Sequence, residues 1–185
     1  DMYIRYLTKS GPEHGNHLVA LCDINPGRLA YRNQHQQEAY GGTPLATGGI
    51  DDFEQLIREH RVTGVIVTTV DRTHDSYICR AMRAGCDVIS EKPMTTDEHK
   101  CREILRVQKE TGKNLRVTFN YRYAPRNSKV KELLQSGVIG EVKSVHFEWL
   151  LNTKHGADYF RRWHRDKRNS GGLMVHKATH HFDLV

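Results

Sequence analysis

Apolar residues come in short bursts along this chain, and two textures alternate. Leu18-Val19-Ala20-Leu21-Cys22 is continuous and closes on Asp23, just ahead of the turn signal Asn25-Pro26-Gly27. Gly64-Val65-Ile66-Val67-Thr68-Thr69 is β-branched and unbroken, and Asp87-Val88-Ile89-Ser90 and Leu115-Arg116-Val117-Thr118-Phe119 repeat the type. Such runs suit strands covered on both faces. Between them lie polar stretches that read as helices over 28–40, from Asp51-Asp52 onward (Phe53, Leu56 and Ile57 at helical spacing), over 74–85 and over 96–112. Gly41-Gly42-Thr43-Pro44 and Gly48-Gly49 read as loop. Strand and helix alternating at this spacing predict an α/β fold, with a parallel sheet and helices on both faces. Right-handed crossovers make it a doubly wound, Rossmann-like domain.

After about residue 120 the texture changes. Pro125, a helix around 127–135, Gly137 and Gly140 lead into 141–151, where Val145, Phe147 and Trp149 alternate with polar residues. That alternation predicts an antiparallel strand with one wet face. The division expected is a first domain over 1–120 and, over 121–185, the start of an α+β substrate and oligomerisation domain with a mostly antiparallel sheet. Residues 1–7 are expected to form the first crossover helix. No G-x-G-x-x-G occurs, and the first residue is Asp1. The first strand and its glycine turn are therefore expected upstream, with the chain truncated at both ends.

Composition narrows the classes. Lys and Arg number 28 and Asp and Glu 22, a net charge of +6, but the basic residues are dispersed except for Arg161-Arg162-Trp163-His164-Arg165-Asp166-Lys167-Arg168. No basic helix with interleaved aromatics appears, so nucleic acid is not an expected partner. The longest apolar run is far too short for a bilayer helix, so no membrane partner is expected either. Cys22, Cys79, Cys86 and Cys101 form no C-x-x-C pair and read as reduced thiols of a cytoplasmic protein. Twelve histidines are unusual, and four lie near the C-terminus.

Three places could carry chemistry. Asp23 ends a strand of a parallel sheet, where a carboxylate can accept from the adenosine ribose of NAD and repel a 2′-phosphate. A turn aspartate before Asn25-Pro26 explains it equally well, and Arg28 leaves NADP open. Glu91-Lys92-Pro93 follows the strand over 87–90, so the Lys92 ammonium would point into the ligand crevice and stabilise developing alkoxide charge. Pro93 is a candidate cis residue. A surface lysine before a loop proline is the plainer alternative. Finally, Gly171-Gly172-Leu173-Met174-Val175-His176-Lys177-Ala178-Thr179-His180-His181-Phe182-Asp183 reads as one helix, with His176, His180 and Asp183 able to share a face. An imidazole there could take a hydroxyl proton. Packing histidines or a zinc-ligand set fit the same spacing, and no metal is assigned.

Taken in order, Cys22-Asp23 with Arg28, Thr69 then His74, Ala84-Gly85-Cys86-Asp87-Val88-Ile89-Ser90-Glu91-Lys92-Pro93, Phe119-Asn120-Tyr121-Arg122-Tyr123-Ala124-Pro125, Ser136-Gly137-Val138-Ile139-Gly140-Glu141 and the block from Gly171 to Asp183 resemble the Gfo/Idh/MocA oxidoreductases, the group of glucose–fructose oxidoreductase and inositol dehydrogenase. The resemblance implies an NAD(P)-binding Rossmann domain followed by a larger-sheet α/β domain. It makes Lys92 the catalytic lysine, His180 the proton acceptor and Asp183 the acidic residue after it. Asp23 and Arg28 fall at the adenosine end, and Thr69, His74, Glu91, Lys92 and Asn120 at the nicotinamide end. Lys92, Arg122, His180 and Asp183 would face substrate. Members commonly read Asp-x-x-x-His-x-x-Asp in the last block. Here His176 stands at the first Asp position, followed by Lys177 in a usually apolar place. A second histidine cannot supply the missing negative charge, so either the relay is rebuilt or the chemistry differs.

The expected function is hydride transfer between nicotinamide (NAD, with NADP open) and a sugar, cyclitol or related polyol, with catalytic residues Lys92, His180 and His176, in a homo-oligomer. Three alternatives stand beside it: a redox-neutral NAD-dependent enzyme modifying glycosides, a non-catalytic NAD(P)-binding sensor or scaffold, and a metal-dependent enzyme built on His176, His180 and Asp183.

Overall fold

A computed structural model of the chain describes residues 2–185, which divide into two compact units, the first ending at Thr63 and the second running from Gly64. The first unit holds α1 (Met2–Lys9), β1 (Ala20–Cys22), α2 (Pro26–Tyr40), β2 (Ala46–Gly48) and α3 (Phe53–Glu59). The helix expected over 1–7 thus forms as α1, while Asp1 lies outside the described residues. Asn25 caps α2 by accepting the Arg28 N–H, and Pro26 fills the first turn, where a missing N–H costs nothing.

β1 and β2 pair in parallel, Ala20 against Ala46 and Cys22 against Gly48. β2 falls inside the stretch read as loop. Its Ala-Thr-Gly sequence has no apolar burst, and it is a strand because it pairs with β1, not because of its own pattern. Gln36 is buried in this unit yet satisfied, its amide donating to the Thr43 carbonyl at 2.6 Å. Leu29, Phe53, Leu56 and Ile57 form the apolar interior.

The second unit opens with β3 (Gly64–Val67), α4 (His74–Arg83), β4 (Asp87–Ser90), α5 (Glu98–Thr111), β5 (Leu115–Val117) and α6 (Pro125–Gln135). The strands lie in the order β3-β4-β5, all parallel, with Val65 opposite Val88 and Val88 opposite Leu115. α4 and α5 are the crossovers, and their inner faces carry the core. Ile78, Ala81, Met82, Ile104 and Val107 are almost completely buried, together with Val67 and Val88 of the sheet. Each large side chain so buried contributes roughly 1.5–3 kcal/mol. Asp97 caps α5 through the Lys100 N–H, and Gly112 closes it at φ +66°.

The strand expected over 141–151 does not form. A strand's backbone donors and acceptors need a neighbour to bond, and among the described residues none pairs with this segment. Its apolar residues Val142, Val145, Phe147 and Leu150 are exposed. Short helices follow: α7 (Thr153–Gly156), α8 (Asp158–Arg161), α9 (Lys167–Ser170), α10 (Leu173–His176) and α11 (Thr179–Leu184).

The single helix expected over 171–183 is therefore two. In a continuous helix the His180 N–H would bond the His176 carbonyl. Instead that oxygen accepts the Lys92 ammonium at 2.7 Å, and the His180 N–H turns to the Lys177 carbonyl at 3.3 Å. His176 and His180 do not share one helical face. Among the described residues no helix is long and apolar enough to cross a membrane.

Candidate active site

A parallel sheet gathers loops at the carboxyl ends of its strands, and ligands bind there. In the second unit β3 delivers Thr69 and Asp71, β4 delivers Glu91-Lys92-Pro93, and β5 delivers Asn120 and Tyr121. The Lys92–Pro93 peptide is cis. His74, at the start of α4, is buried, with Nδ1 2.8 Å from the Pro93 carbonyl and Nε2 3.1 Å from the Thr69 carbonyl. Each ring nitrogen thus faces a backbone carbonyl, and His74 sits between the β3 and β4 loops. Thr69 is exposed beside it and accepts from the Thr73 hydroxyl at 2.9 Å.

Lys92 is the centre of the cluster. Its Nζ donates to the His176 carbonyl at 2.7 Å and lies 3.4 Å from the His176 Nε2. Burial pushes the ammonium pKa below its ordinary value. Asp71 opposes that shift, and Lys177 adds to it. The His176 Nδ1 lies 2.5 Å from the Asp71 Oδ2, with Asp71 2% exposed and His176 7%. The edges of Tyr159 and Trp163, each 5.5 Å away, pack against the His176 ring, and His164 lies at 4.6 Å. Burial, followed by the neighbouring His176, also lowers the pKa of His164.

Gly171 sets the approach of α10. It adopts φ +69°, and a Cβ there would meet the Val175 Cβ at 2.9 Å and the Thr96 carbonyl at 3.0 Å. Only glycine fits both the backbone and the gap.

His180 sits apart from the pair formed by His176 and Asp71. Its ring stacks on Tyr121 at 4.1 Å and 11°, with Phe119 edge-on at 6.2 Å. Burial, then Lys92 and Lys177, push its pKa down to about 4, so it is a neutral imidazole at pH 7 and not the near-neutral titrating group expected. Its Nδ1 is buried without a partner among the described residues. Lys177, also buried, donates to the Tyr121 hydroxyl at 2.8 Å.

Asp183 is held by Arg122 in a two-pronged ion pair, which raises the Arg122 pKa. Those two residues therefore engage each other. His176, with Asp71 on its Nδ1, and Asp183, on Arg122, do not make a ligand set with His180, and among the described residues no group of three His, Cys, Asp or Glu is placed to hold a metal ion. Glu91 is half-buried and Asn120 exposed.

In the first unit Asp23 follows β1. Its carboxylate accepts the Asn25 N–H at 2.8 Å and pairs with Arg28 at 2.9 Å, in the open. Among the described residues no disulfide joins the four cysteines.

Sequence reasoning missed Asp71, Tyr121, Lys177 as a bonded group, and His164. The signal for Asp71 was indirect: a block lacking its first carboxylate needs one from elsewhere, and Asp71 follows a strand end.

Residues 1–119 match a family model described as an oxidoreductase family with an NAD-binding Rossmann fold, and 131–185 match that family's C-terminal α/β domain. The Bacillus subtilis protein YteT is 38% identical over 184 residues, covering 100% of this chain and 42% of YteT. An inositol 2-dehydrogenase/D-chiro-inositol 3-dehydrogenase of Lactiplantibacillus plantarum is 25% identical over 168 residues, covering 90% of this chain and 43% of that enzyme. The chain thus spans less than half the length of these relatives. Among solved structures, the Lactobacillus plantarum myo-inositol 2-dehydrogenase superposes with a TM-score of 0.79 at 21% identity, covering 98% of this chain and 50% of that one.

Proposed function

Because the chain belongs to the Gfo/Idh/MocA oxidoreductase family, we propose that its protein is an NAD(P)-dependent oxidoreductase acting on a CH–OH group of a sugar, cyclitol or related polyol. The observation that carries the reading is Lys92: a partly desolvated ammonium at the carboxyl end of a central parallel strand, bonded to His176. Inositol dehydrogenases among the relatives support the polyol class.

The residues suit the cofactor. Among the described residues Asp23 bonds Asn25 and Arg28, and a carboxylate has about four acceptor sites, so capacity remains for ribose hydroxyls. Asp23 and Arg28 are its proposed contacts in the first unit, and Thr69, Glu91, Lys92 and Asn120 in the second. His74 acts there by fixing the loops. When bound, NAD supplies the acceptor for the substrate's hydride.

Lys92 then donates to the substrate oxygen and stabilises the charge that develops as its proton leaves. His180, neutral at pH 7 with an unpartnered Nδ1, receives that proton. The functional domains follow the boundary near residue 120, and Arg122 contributes to the substrate side by holding Asp183 in place.

Replacing Lys92 by Ala in the full-length protein is expected to lower turnover at least about 10²-fold, the scale seen when one oxyanion donor is lost, while NAD still binds in calorimetry. Undiminished turnover on a polyol panel overturns the mechanism. Accumulation of the near-ultraviolet absorbance of reduced nicotinamide separates net oxidation from a redox-neutral path.

A further inference from the structure

We propose that Asp71 is a positioning residue for the lysine: from the loop after β3 it gives the ring of His176 a carboxylate partner, and it acts through that ring. The proposal rests on the reading of Lys92 given above.

One set of protons makes all three contacts of His176 hydrogen bonds. A carboxylate has no proton to give, so the 2.5 Å contact is the His176 Nδ1–H donating to the Asp71 Oδ2. The neutral ring then carries its lone pair on Nε2, which faces the Lys92 Nζ at 3.4 Å. An ammonium can only donate, so this tautomer is the one that attracts it. The same residue's carbonyl takes a second N–H of Lys92 at 2.7 Å. His176 therefore holds the ammonium at two points, and its ring is anchored by a single charged bond, the stronger kind.

Charge points the same way. Among the described residues Asp71 is the one buried Asp or Glu, whereas Lys177 brings a buried cation to the cluster beside the half-buried Lys92. Ions removed from water need a counter-charge nearby. The groups around the Lys92 ammonium are Asp71 from the β3 loop, Glu91 in its own turn, His176 and Lys177 from the 173–178 stretch, His180 from α11 and His164 from the turn before α9. Glu91 is the other carboxylate among them. It is half-buried, in contrast to Asp71.

A merely structural role for Asp71, tying the β3 loop to α10, makes different predictions. In the full-length protein, Asp71→Asn keeps the shape and removes the charge. It is expected to cut kcat about 10- to 100-fold, the scale of one hydrogen bond to a charged group, with KM changed far less. The alkaline limb of the kcat–pH profile is expected to move to lower pH, because Lys92 loses the carboxylate that holds its proton. The double variant Asp71→Asn/His176→Asp moves the carboxylate onto position 176 itself. It is expected to recover at least tenfold of the lost kcat and to return the limb toward its original pH.

An Asp71→Asn enzyme with kcat and pH profile within twofold of the parent, while Lys92→Ala is inactive, overturns the role of Asp71 and leaves the function standing. An active Lys92→Ala enzyme overturns the function itself. If Asp71→Asn does not fold, nitrogen-15 NMR of His176 in the unmodified protein decides: the Nδ1–H tautomer near neutral pH supports the relay, and the Nε2–H tautomer or an imidazolium refutes it.

Discussion

Gly171→Ala tests how tightly the approach to His176 is built. Gly171 and Gly112 occupy the same left-handed basin, at φ +69° and φ +66°. An L-residue in that basin costs about 1–2 kcal/mol, so both substitutions carry that term. At Gly112 a Cβ meets nothing within 4 Å, and Gly112→Ala is expected to cost that and no more. At Gly171 the added carbon falls 2.9 Å from the Val175 Cβ and 3.0 Å from the Thr96 carbonyl oxygen, neither of which is the loose end of a flexible chain.

Overpacking of this kind adds about 1–3 kcal/mol, so Gly171→Ala is expected to cost about 2–5 kcal/mol in all. For a domain of roughly 150–250 residues that is a fall in Tm of about 2–4 °C per kcal/mol. The assay is thermal and urea denaturation of both variants, followed by circular dichroism, with kcat measured below the transition. Val175 adjoins His176, so kcat is expected to fall for Gly171→Ala alone. A Gly171→Ala protein no less stable than Gly112→Ala would refute the packing described for this turn.

Acid should weaken the fold partly through His180. Its pKa is held near 4 in the folded state against about 6.5 in the unfolded chain, so the unfolded state binds the extra proton between those values. Stability is expected to be full above about pH 6.5 and to drop as pH falls toward 4, with a His180 share on the order of 3 kcal/mol. A His180→Gln variant should give a visibly flatter pH–stability curve in urea titrations, and an unchanged slope would contradict the burial of that ring. Tyr121→Phe keeps the stacking on His180 but removes the acceptor of the buried Lys177 ammonium. A loss of about 1–3 kcal/mol is expected from chemical denaturation, and none at all would mean that Lys177 finds water instead.

The parts of the fold readable in advance were those with a short apolar burst or with marked ends, although β4 is covered on one face only, with Val88 buried and Ile89 exposed. β3 carries the apolar run Val65–Val67 and β4 the pair Val88 and Ile89, and α5 runs between an aspartate cap and a glycine stop. What escaped depends on partners distant in the chain. β2 is a strand because β1 lies beside it, although Ala-Thr-Gly says nothing of the kind. Residues 141–151 carry a strand's alternation without a ladder to join.

In the site, Lys92 and His180 stood out from position and order. The break between α10 and α11 did not, and the carbonyl at the break bonds a side chain 84 residues upstream. Asp71 lies 105 residues from the ring it bonds, and no local pattern links them. The absent carboxylate at position 176 was legible, but its replacement was not.

One oxygen, the carbonyl of His176, stands where secondary structure and reactivity compete. While the ammonium occupies it, two short helical turns stay separate and His180 begins a turn of its own. The amide four residues on, that of His180, bonds the Lys177 carbonyl instead. The lysine thus holds the main chain between the two turns as well as placing a charge in the crevice.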